Sequence, residues 1–316
     1  MFEGFANVWT PVVEARRLRA RPMKVTVASE PVVLFRGAGG SMGALIDRCP
    51  HRGAALSLGR VNASGQLECP FHGWRFDATG ANCHVPLNPE ARLESLGASA
   101  LPVRVIGELI WIYTGITPSP PEPVAPPELS DASLRRVYLT RDWNCHWTRA
   151  MENMLDTPHL PFVHRKTIGR ALRQRMTPTS KMEVSWEDTP NGGWANAILD
   201  AQGKGAALEF HRPNMMTLHI PIPGRRLKIH ALVLPAGPGQ TRLTVVGSRD
   251  FARSSLLDPL FAWMNGLIAD EDRAVVESSS PEEAPPLSSE RSVGSDRATM
   301  RFRKYYYDTL RGSTAP

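Results

Sequence analysis

Residues 49–76 read CPHRGAALSLGRVNASGQLECPFHGWRF. They hold two short clusters, Cys49-Pro-His51 and Cys69-Pro-Phe-His72, separated by a polar, turn-rich stretch of seventeen residues. This pair constrains the fold more than any other feature, because two thiols and two imidazoles can serve one centre only if both clusters are held as facing loops. The chain has just two further cysteines, Cys83 and Cys145. Four dispersed thiols are too few for a disulfide scaffold in a chain of this length. Cys49 and Cys69 are therefore expected to be reduced or metal-bound, and Cys83 and Cys145 to be small core residues.

Two kinds of centre take two thiolates and two imidazoles. A structural zinc wants four N/S ligands in a tetrahedron. A Rieske [2Fe–2S] centre takes two cysteines on one iron and two histidines on the other, so each facing loop gives one sulfur and one nitrogen. Gly53 and Gly73, each soon after a cluster histidine, let backbone amides approach the sulfurs with no Cβ in the way. CPHRGAALSLG and CPFHGWRFD resemble the cluster loops of Rieske non-haem iron oxygenases, down to the residues flanking the ligands. That resemblance implies that Cys49 and Cys69 hold the inner iron, and His51 and His72 the outer one.

The surrounding sequence reads as α+β: an N-terminal all-β Rieske [2Fe–2S] domain, then a catalytic domain of antiparallel sheet plus helices. Short β-branched and apolar runs (KVTVAS, PVVLFR, GALIDR, LPVRVIGELIWIYTG) fill residues 1–116, separated by Gly, Pro and Asn. Residues 117–131 are too proline-dense for a helix or a central strand, so they are expected to be an extended connector. Residues 132–316 form the second expected domain. A helix is predicted over 147–156 with an irregular continuation over 157–164. Strand-like runs follow (KMEVSWED, GAALEFHR, MMTLHIPI, LKIHALVLPA, RLTVVGSRDF), then a long amphipathic helix near 255–278. SSSPEEAPPLSSERSVGSD, at 278–296, reads as a loose surface segment.

The second domain carries MENMLDTPHLPFVHRKTIG, in which Asn153, Asp156, His159 and His164 form N-x2-D-x2-H-x4-H. Spacings of three share one helical face. Two histidines and a carboxylate on one side of an iron form the facial triad of non-haem Fe(II) oxygenases, leaving positions open for O₂ and substrate. Pro158 and Pro161 should loosen the helix beyond Asp156, freeing both histidines from ideal helical phase. For the third ligand the best segment is LFAWMNGLIADEDRAVVESS. Its apolar stripe puts Asp270 on the solvent side but does not separate Glu271 from Asp272, both near the stripe's edges. His146, His211, His219 and His230 are expected to be core or surface residues, and Trp147 core.

The family resemblance extends to this motif. It implies that His159 and His164 ligate a mononuclear iron and that Asn153 lies near it. It implies that Asp156 bridges an iron-ligating histidine to a cluster histidine of a neighbouring subunit, in a head-to-tail homotrimer. The family's E-D-x4-E pattern, matched by Glu271, Asp272 and Glu277, favours Asp272 as third ligand. The chain looks most similar to the single-subunit-type vanillate demethylase-like and pheophorbide oxygenase-like groups. By that resemblance it is a terminal oxygenase using O₂ and electrons drawn from NAD(P)H through a separate reductase or ferredoxin. Hydroxylation or oxidative demethylation of a hydrophobic, aromatic or polycyclic molecule is favoured over ring cis-dihydroxylation. An iron–sulfur carrier or sensor with a silent second domain is the reading from another class.

Composition narrows the remaining partners. No apolar run approaches the roughly 20 residues that span a bilayer, and the N-terminus does not resemble a secretory signal, so a cytoplasmic location is expected. Lys plus Arg number 37 against 31 Asp plus Glu. Part of the excess is RRLRAR at 16–21, read as a solvated face, since no aromatics interleave with it to suggest nucleic acid. Arg212, Arg225 and Arg226 flank strands, where they could meet a substrate carboxylate but are expected to be solvated.

Overall fold

The β-branched runs of the N-terminal third become ten short strands: β1 Trp9–Glu14, β2 Met23–Val27, β3 Glu30–Arg36, β4 Met42–Ile46, β5 Arg60–Val61, β6 Leu67–Glu68, β7 Arg75–Phe76, β8 Asn82–His84, β9 Val103–Ile106 and β10 Leu109–Tyr113. They belong to one compact unit, Met1–Pro123, of a computed structural model that describes residues 1–202 and 205–312. All pairings are antiparallel, in the orders β1-β10-β9, β2-β3-β4 and β5-β6-β7-β8. Gly107 and Glu108, both at positive φ, close the tight β9–β10 hairpin, as the strand twist requires.

Val33, Phe35, Leu45, Leu56, Leu67 and Phe76, all inaccessible to solvent, form a core that also contains Cys49 and Cys69. The two cluster loops therefore rise from the unit's packed centre. Half-buried Cys83 lies on β8, outside that core, with its thiol near the Ala81 carbonyl at 3.6 Å.

The second unit, Val124–Arg311, contains β11 Arg135–Trp143, α1 Trp147–Leu155, α2 Leu160–Val163, α3 Arg170–Arg175, β12 Met182–Thr189, β13 Gly192–Leu199, β14 Ala206–His211, β15 Met215–Ile222, β16 Arg225–Gly237, β17 Gln240–Arg249, α4 Asp258–Val276 and α5 Arg297–Tyr305. Its seven strands form one antiparallel sheet, β11-β17-β16-β15-β14-β13-β12. The fold is thus α+β, an all-β unit followed by an antiparallel sheet with few helices. Residues 313–316 of the expected second domain lie outside the described residues. Among the described residues no helix is long and apolar enough to cross a membrane.

β13 and α5 are absent from the strand and helix runs legible in the sequence. β13 opens on Gly192-Gly193, which weakens a strand pattern, but a Cβ on Gly193 would stand 1.9 Å from the Trp186 ring, so packing requires the glycine. α5 is anchored by buried Ala298 and Phe302, the latter 5.7 Å from Trp147 edge-to-face. Residues 278–296 are not loose. Ala284 is fully buried, Arg149 bonds the Pro281 carbonyl at 3.0 and 3.1 Å, and Glu290 meets Arg149 at 2.7 Å and Arg303 at 2.5 Å. Glu152 completes the cluster by pairing with both arginines.

The sheet face away from α4 carries a chain of buried polar groups, His211 Nε2 to Thr217 Oγ1 and Thr217 Oγ1 to His230 Nδ1, each 2.9 Å. Burial drives the His230 imidazole down to about 3. The unfolded chain binds a proton near pH 6.5 that the folded chain refuses until about pH 3, so stability present above pH 6.5 is lost as pH falls across that window. In His230→Gln the fall in urea midpoint between pH 6.5 and pH 3 should be visibly shallower; an unchanged slope would assign acid sensitivity elsewhere.

Candidate functional site

The two cluster loops repeat one hydrogen-bond pattern. Cys49 N–H donates to the Ala54 carbonyl at 2.8 Å and Gly53 N–H to the Cys49 carbonyl at 2.9 Å. Cys69 N–H donates to the Trp74 carbonyl at 2.8 Å and Gly73 N–H to the Cys69 carbonyl at 3.0 Å. Each loop closes on a glycine at φ +72°, where a side chain would be strained. The loops bring the His51 and His72 rings to 4.6 Å, and Trp74 stacks flat on His51 at 4.6 Å. Both sulfurs are buried and both rings sit at the exposed rim.

Burial, with Cys69 beside it, pushes the Cys49 thiol up to about 11. Two adjacent buried thiols become thiolates only when a metal takes the charge. Among the described residues, no three of these four donors converge tightly enough for a single ion. Sulfurs inside and imidazoles outside fit a binuclear cluster and not one tetrahedral zinc.

In the second unit the chain breaks where the prolines predict. α1 ends at Leu155, and Asp156 is extended at φ −91°, ψ 117°. The residue before a proline avoids helical backbone, and Thr157 precedes Pro158. The chain re-enters a helical turn as α2, whose N-cap is His159 and C-cap His164. One Asp156 oxygen accepts from the His159 backbone N–H at 3.1 Å and meets its ring Nδ1 at 3.3 Å, fixing the imidazole.

α4 supplies the carboxylates. His159 Nε2 lies 3.3 Å from His164 Nε2, and Asp272 Oδ1 lies 3.5 and 3.0 Å from the two nitrogens. Ligands about 2.1 Å from a common ion and at right angles to one another stand about 3 Å apart. Asp272 is 4% exposed, and its Oδ1 is buried with no hydrogen-bond partner, so these three donors fit one divalent cation. Asn153 lines the same cavity, and its Nδ2 is likewise buried and unpartnered.

Glu271 has a different place. Its Oε2 meets His164 Nδ1 at 2.8 Å and accepts from Thr167 Oγ1 at 2.6 Å. Burial alone would push the His164 imidazole down, but Asp272 and Glu271, at opposite ring nitrogens, hold it above the ordinary histidine value. The apolar stripe of α4 cannot separate the two acids because both face His164, one at each ring nitrogen. We expect Glu271→Gln to weaken metal binding by about 10- to 100-fold, the usual effect of losing an outer carboxylate, as read by iron titration of the apoprotein.

The three donors sit at one end of a cavity of about 160 Å³, comparable to cavities that admit a benzene ring. Its walls are α1, α4 and the sheet face bearing Met216, Leu218, Ile229, Leu243 and Val245. Arg212 instead stacks on Tyr305 at 4.8 Å, Arg226 pairs with Asp131 at 2.9 Å, and neither they nor Arg225 line the cavity. His146 caps α1 through Thr148, and Trp147 and Cys145 are buried.

Family models match both units: a Rieske [2Fe–2S] domain over residues 8–103 and a vanillate O-demethylase oxygenase C-terminal domain over 143–310. The chain belongs to the vanillate O-demethylase-type Rieske oxygenases. It is 32% identical over 265 residues to pheophorbide a oxygenase of Oryza sativa, covering 74% of this chain and 49% of that protein. It is 35% identical over 162 residues to the oxygenase component of dicamba O-demethylase from Stenotrophomonas maltophilia, covering 50% and 47%. It therefore spans about half the length of these curated relatives. NdmA of Pseudomonas putida CBB5, solved with caffeine, superposes with TM-score 0.79 at 25% identity, covering 95% of this chain and 90% of that one. For this Rieske oxygenase, the sites built above coincide with the two matched domains. Thr167, and the place of Glu271 at the outer nitrogen of His164, carried no motif that sequence reasoning could use, whereas the cavity's sheet wall falls on the apolar runs around Leu208, Met215–Ile222 and Lys228–Leu234.

Proposed function

We propose that the protein is the terminal oxygenase of a system with a separate ferredoxin or flavin reductase. That partner passes it electrons from NAD(P)H, and it inserts one oxygen atom into a C–H bond of a hydrophobic small molecule. The observation that carries this reading is the convergence of His159, His164 and Asp272 at the end of an apolar cavity. Cys49, His51, Cys69 and His72 would hold the [2Fe–2S] cluster, and His159, His164 and Asp272 the iron. When bound, the cluster supplies single-electron transfer and the iron supplies O₂ activation.

The chain's own groups have defined tasks. Asp156 and Glu271 each hold one histidine by Nδ1, which directs both Nε2 atoms to one point. The apolar walls exclude water from the reacting carbon. In the net reaction a C–H bond is broken and a C–O bond formed, and the second oxygen atom leaves as water with two electrons and two protons. From a methyl ether the resulting hemiacetal divides into an alcohol and formaldehyde, the O-demethylation that the dicamba relative is named for.

Among the described residues, the second Asp156 oxygen has no hydrogen-bond partner, and Asp156 is half-exposed. This supports a head-to-tail homotrimer in which that oxygen would meet a cluster histidine of the next subunit, and a cytoplasmic location is part of the same proposal. Asp156→Asn should retain both metals but lose nearly all turnover, because the amide lacks the charge that accepts from two imidazoles. Wild-type turnover in this variant would remove Asp156 from electron delivery, and light scattering of the native protein tests the trimer.

The function is tested by turnover under ¹⁸O₂ with a compatible reductase and NADH, reading label in products from aryl methyl ethers and polycyclic substrates. One labelled oxygen in product, or formaldehyde released from an ether, is expected. A cis-diol with two labelled oxygens would replace this reading with ring dihydroxylation.

A further inference from the structure

The outer face of α4 is apolar and open to solvent. Leu256, just before the helix, and Leu260, Trp263 and Leu267 on it are 87, 50, 64 and 42% exposed. Spacings of three and four set them in one stripe, opposite the buried Ala269, Asp272 and Val276. A contiguous exposed apolar ridge marks an interaction surface. This one borders the opening of the cavity. Among the described lining residues only Ile168 and Met264 are exposed, so the cavity reaches the surface between them. Thr167, next to Ile168 in the chain, ties that side of the opening to α4 through Glu271.

The Ile168 side is strongly cationic. Residues 165–175, RKTIGRALRQR, hold five cations and no acid, and all five are exposed. Among the described residues Arg165, Lys166, Arg170 and Arg173 are in no ion pair, and the Arg173 guanidinium lies 5.2 Å from the ring centre of exposed Phe162. Asp270 and Glu271, the acids of α4 that flank the ridge, are engaged with Arg141 and Arg273 and with His164. A second copy seated face to face here would set like charge against like. A rigid protein partner would close the opening. An anionic bilayer suits both parts, since its headgroups meet the arginines and its acyl boundary takes up leucine and tryptophan. It also leaves the opening useful, because an apolar molecule dissolved in lipid reaches the cavity without crossing water.

We propose that the α4 ridge and the 165–175 segment rest on an anionic bilayer, from which the cavity takes its apolar substrate. The contact is peripheral: Trp263 and the leucines enter the interface and no segment spans it. Substrate delivery rests on the oxygenase reading above; the binding does not. The test is flotation of the iron-loaded protein with vesicles of phosphatidylcholine, alone or mixed with phosphatidylglycerol. Binding to the mixed vesicles is expected, weakening as salt rises. Arg170→Ala with Arg173→Ala should lower partitioning by about 30-fold, from roughly fivefold per cation. Leu260→Ser with Leu267→Ser should lower it by about 10-fold or more. These four side chains are exposed, so iron content and melting temperature should stay at wild-type values. Trp263→Phe should keep binding and remove the quenching of tryptophan emission by bromine-labelled acyl chains. Absence of binding to mixed vesicles would overturn the proposal, as would equal binding by all variants. So would loss of binding only in Arg17→Ala with Arg19→Ala, which would move the contact to the other basic run. The oxygenase reading fails separately: vesicle binding that depends on Arg170, Arg173, Leu260 and Leu267, without ¹⁸O in any product, leaves the surface standing and removes the reaction.

Discussion

Asp272→Ala is expected to yield a coloured protein that lacks the mononuclear iron. Two imidazole nitrogens 3.3 Å apart remain, but the buried carboxylate that balances the ion's charge is gone. Iron should fall from about three per chain to about two, by the ligand counts of the two sites, with the iron–sulfur absorption unchanged. Oxygen insertion should become undetectable, because under the proposed function the iron at this site supplies O₂ activation. Glu271 does not rescue it, because it is engaged at the opposite nitrogen of His164 and with Thr167. Three irons per chain in this variant would move the third ligand elsewhere.

Cys69→Ser is expected to have the complementary effect and a larger one on stability. The serine oxygen is a poorer cluster ligand and sits 2% exposed against Val33, Phe35 and Phe76. Loss of the cluster removes the bond that ties the 49–54 loop to the 69–74 loop, and leaves a polar atom in an apolar core at about 1–3 kcal/mol. Expected are loss of the visible absorption and labile sulfide, and a melting temperature lower by several degrees. Retained cluster colour with unchanged labile sulfide would refute the ligand assignment.

Both effects trace to residues whose roles differ in how far apart they lie in the chain. Cys49 with His51, Cys69 with His72, and Asp156 with His159 are within three residues of one another, so the sequence alone determined their clustering. The same holds for the break after Leu155, because a proline acts on its own neighbours through sterics. It holds too for the strands from Met215 to Arg249, whose apolar runs are long.

Periodicity left Glu271 and Asp272 open and only the E-D-x4-E resemblance favoured Asp272; the tertiary structure decided which carboxylate faces which nitrogen. Glu271 and Asp272 are adjacent on α4, and their separation into an outer support and an inner donor depends on where His164 stands, 107 positions earlier. It also decided that 278–296 is pinned by Arg149 and Arg303, a contact across 141 positions that no local pattern encodes. The cavity is the same case only in part, since its sheet wall falls on apolar runs legible in the sequence while its α4 side does not. Asn265 and Gly247 carry no motif, and Arg249 reads as an ordinary strand-end cation until Asp258 and Phe261 are seen against it. Local propensity and spacing act over one turn or one loop, whereas burial and charge pairing are set by the packing of a helix on a sheet.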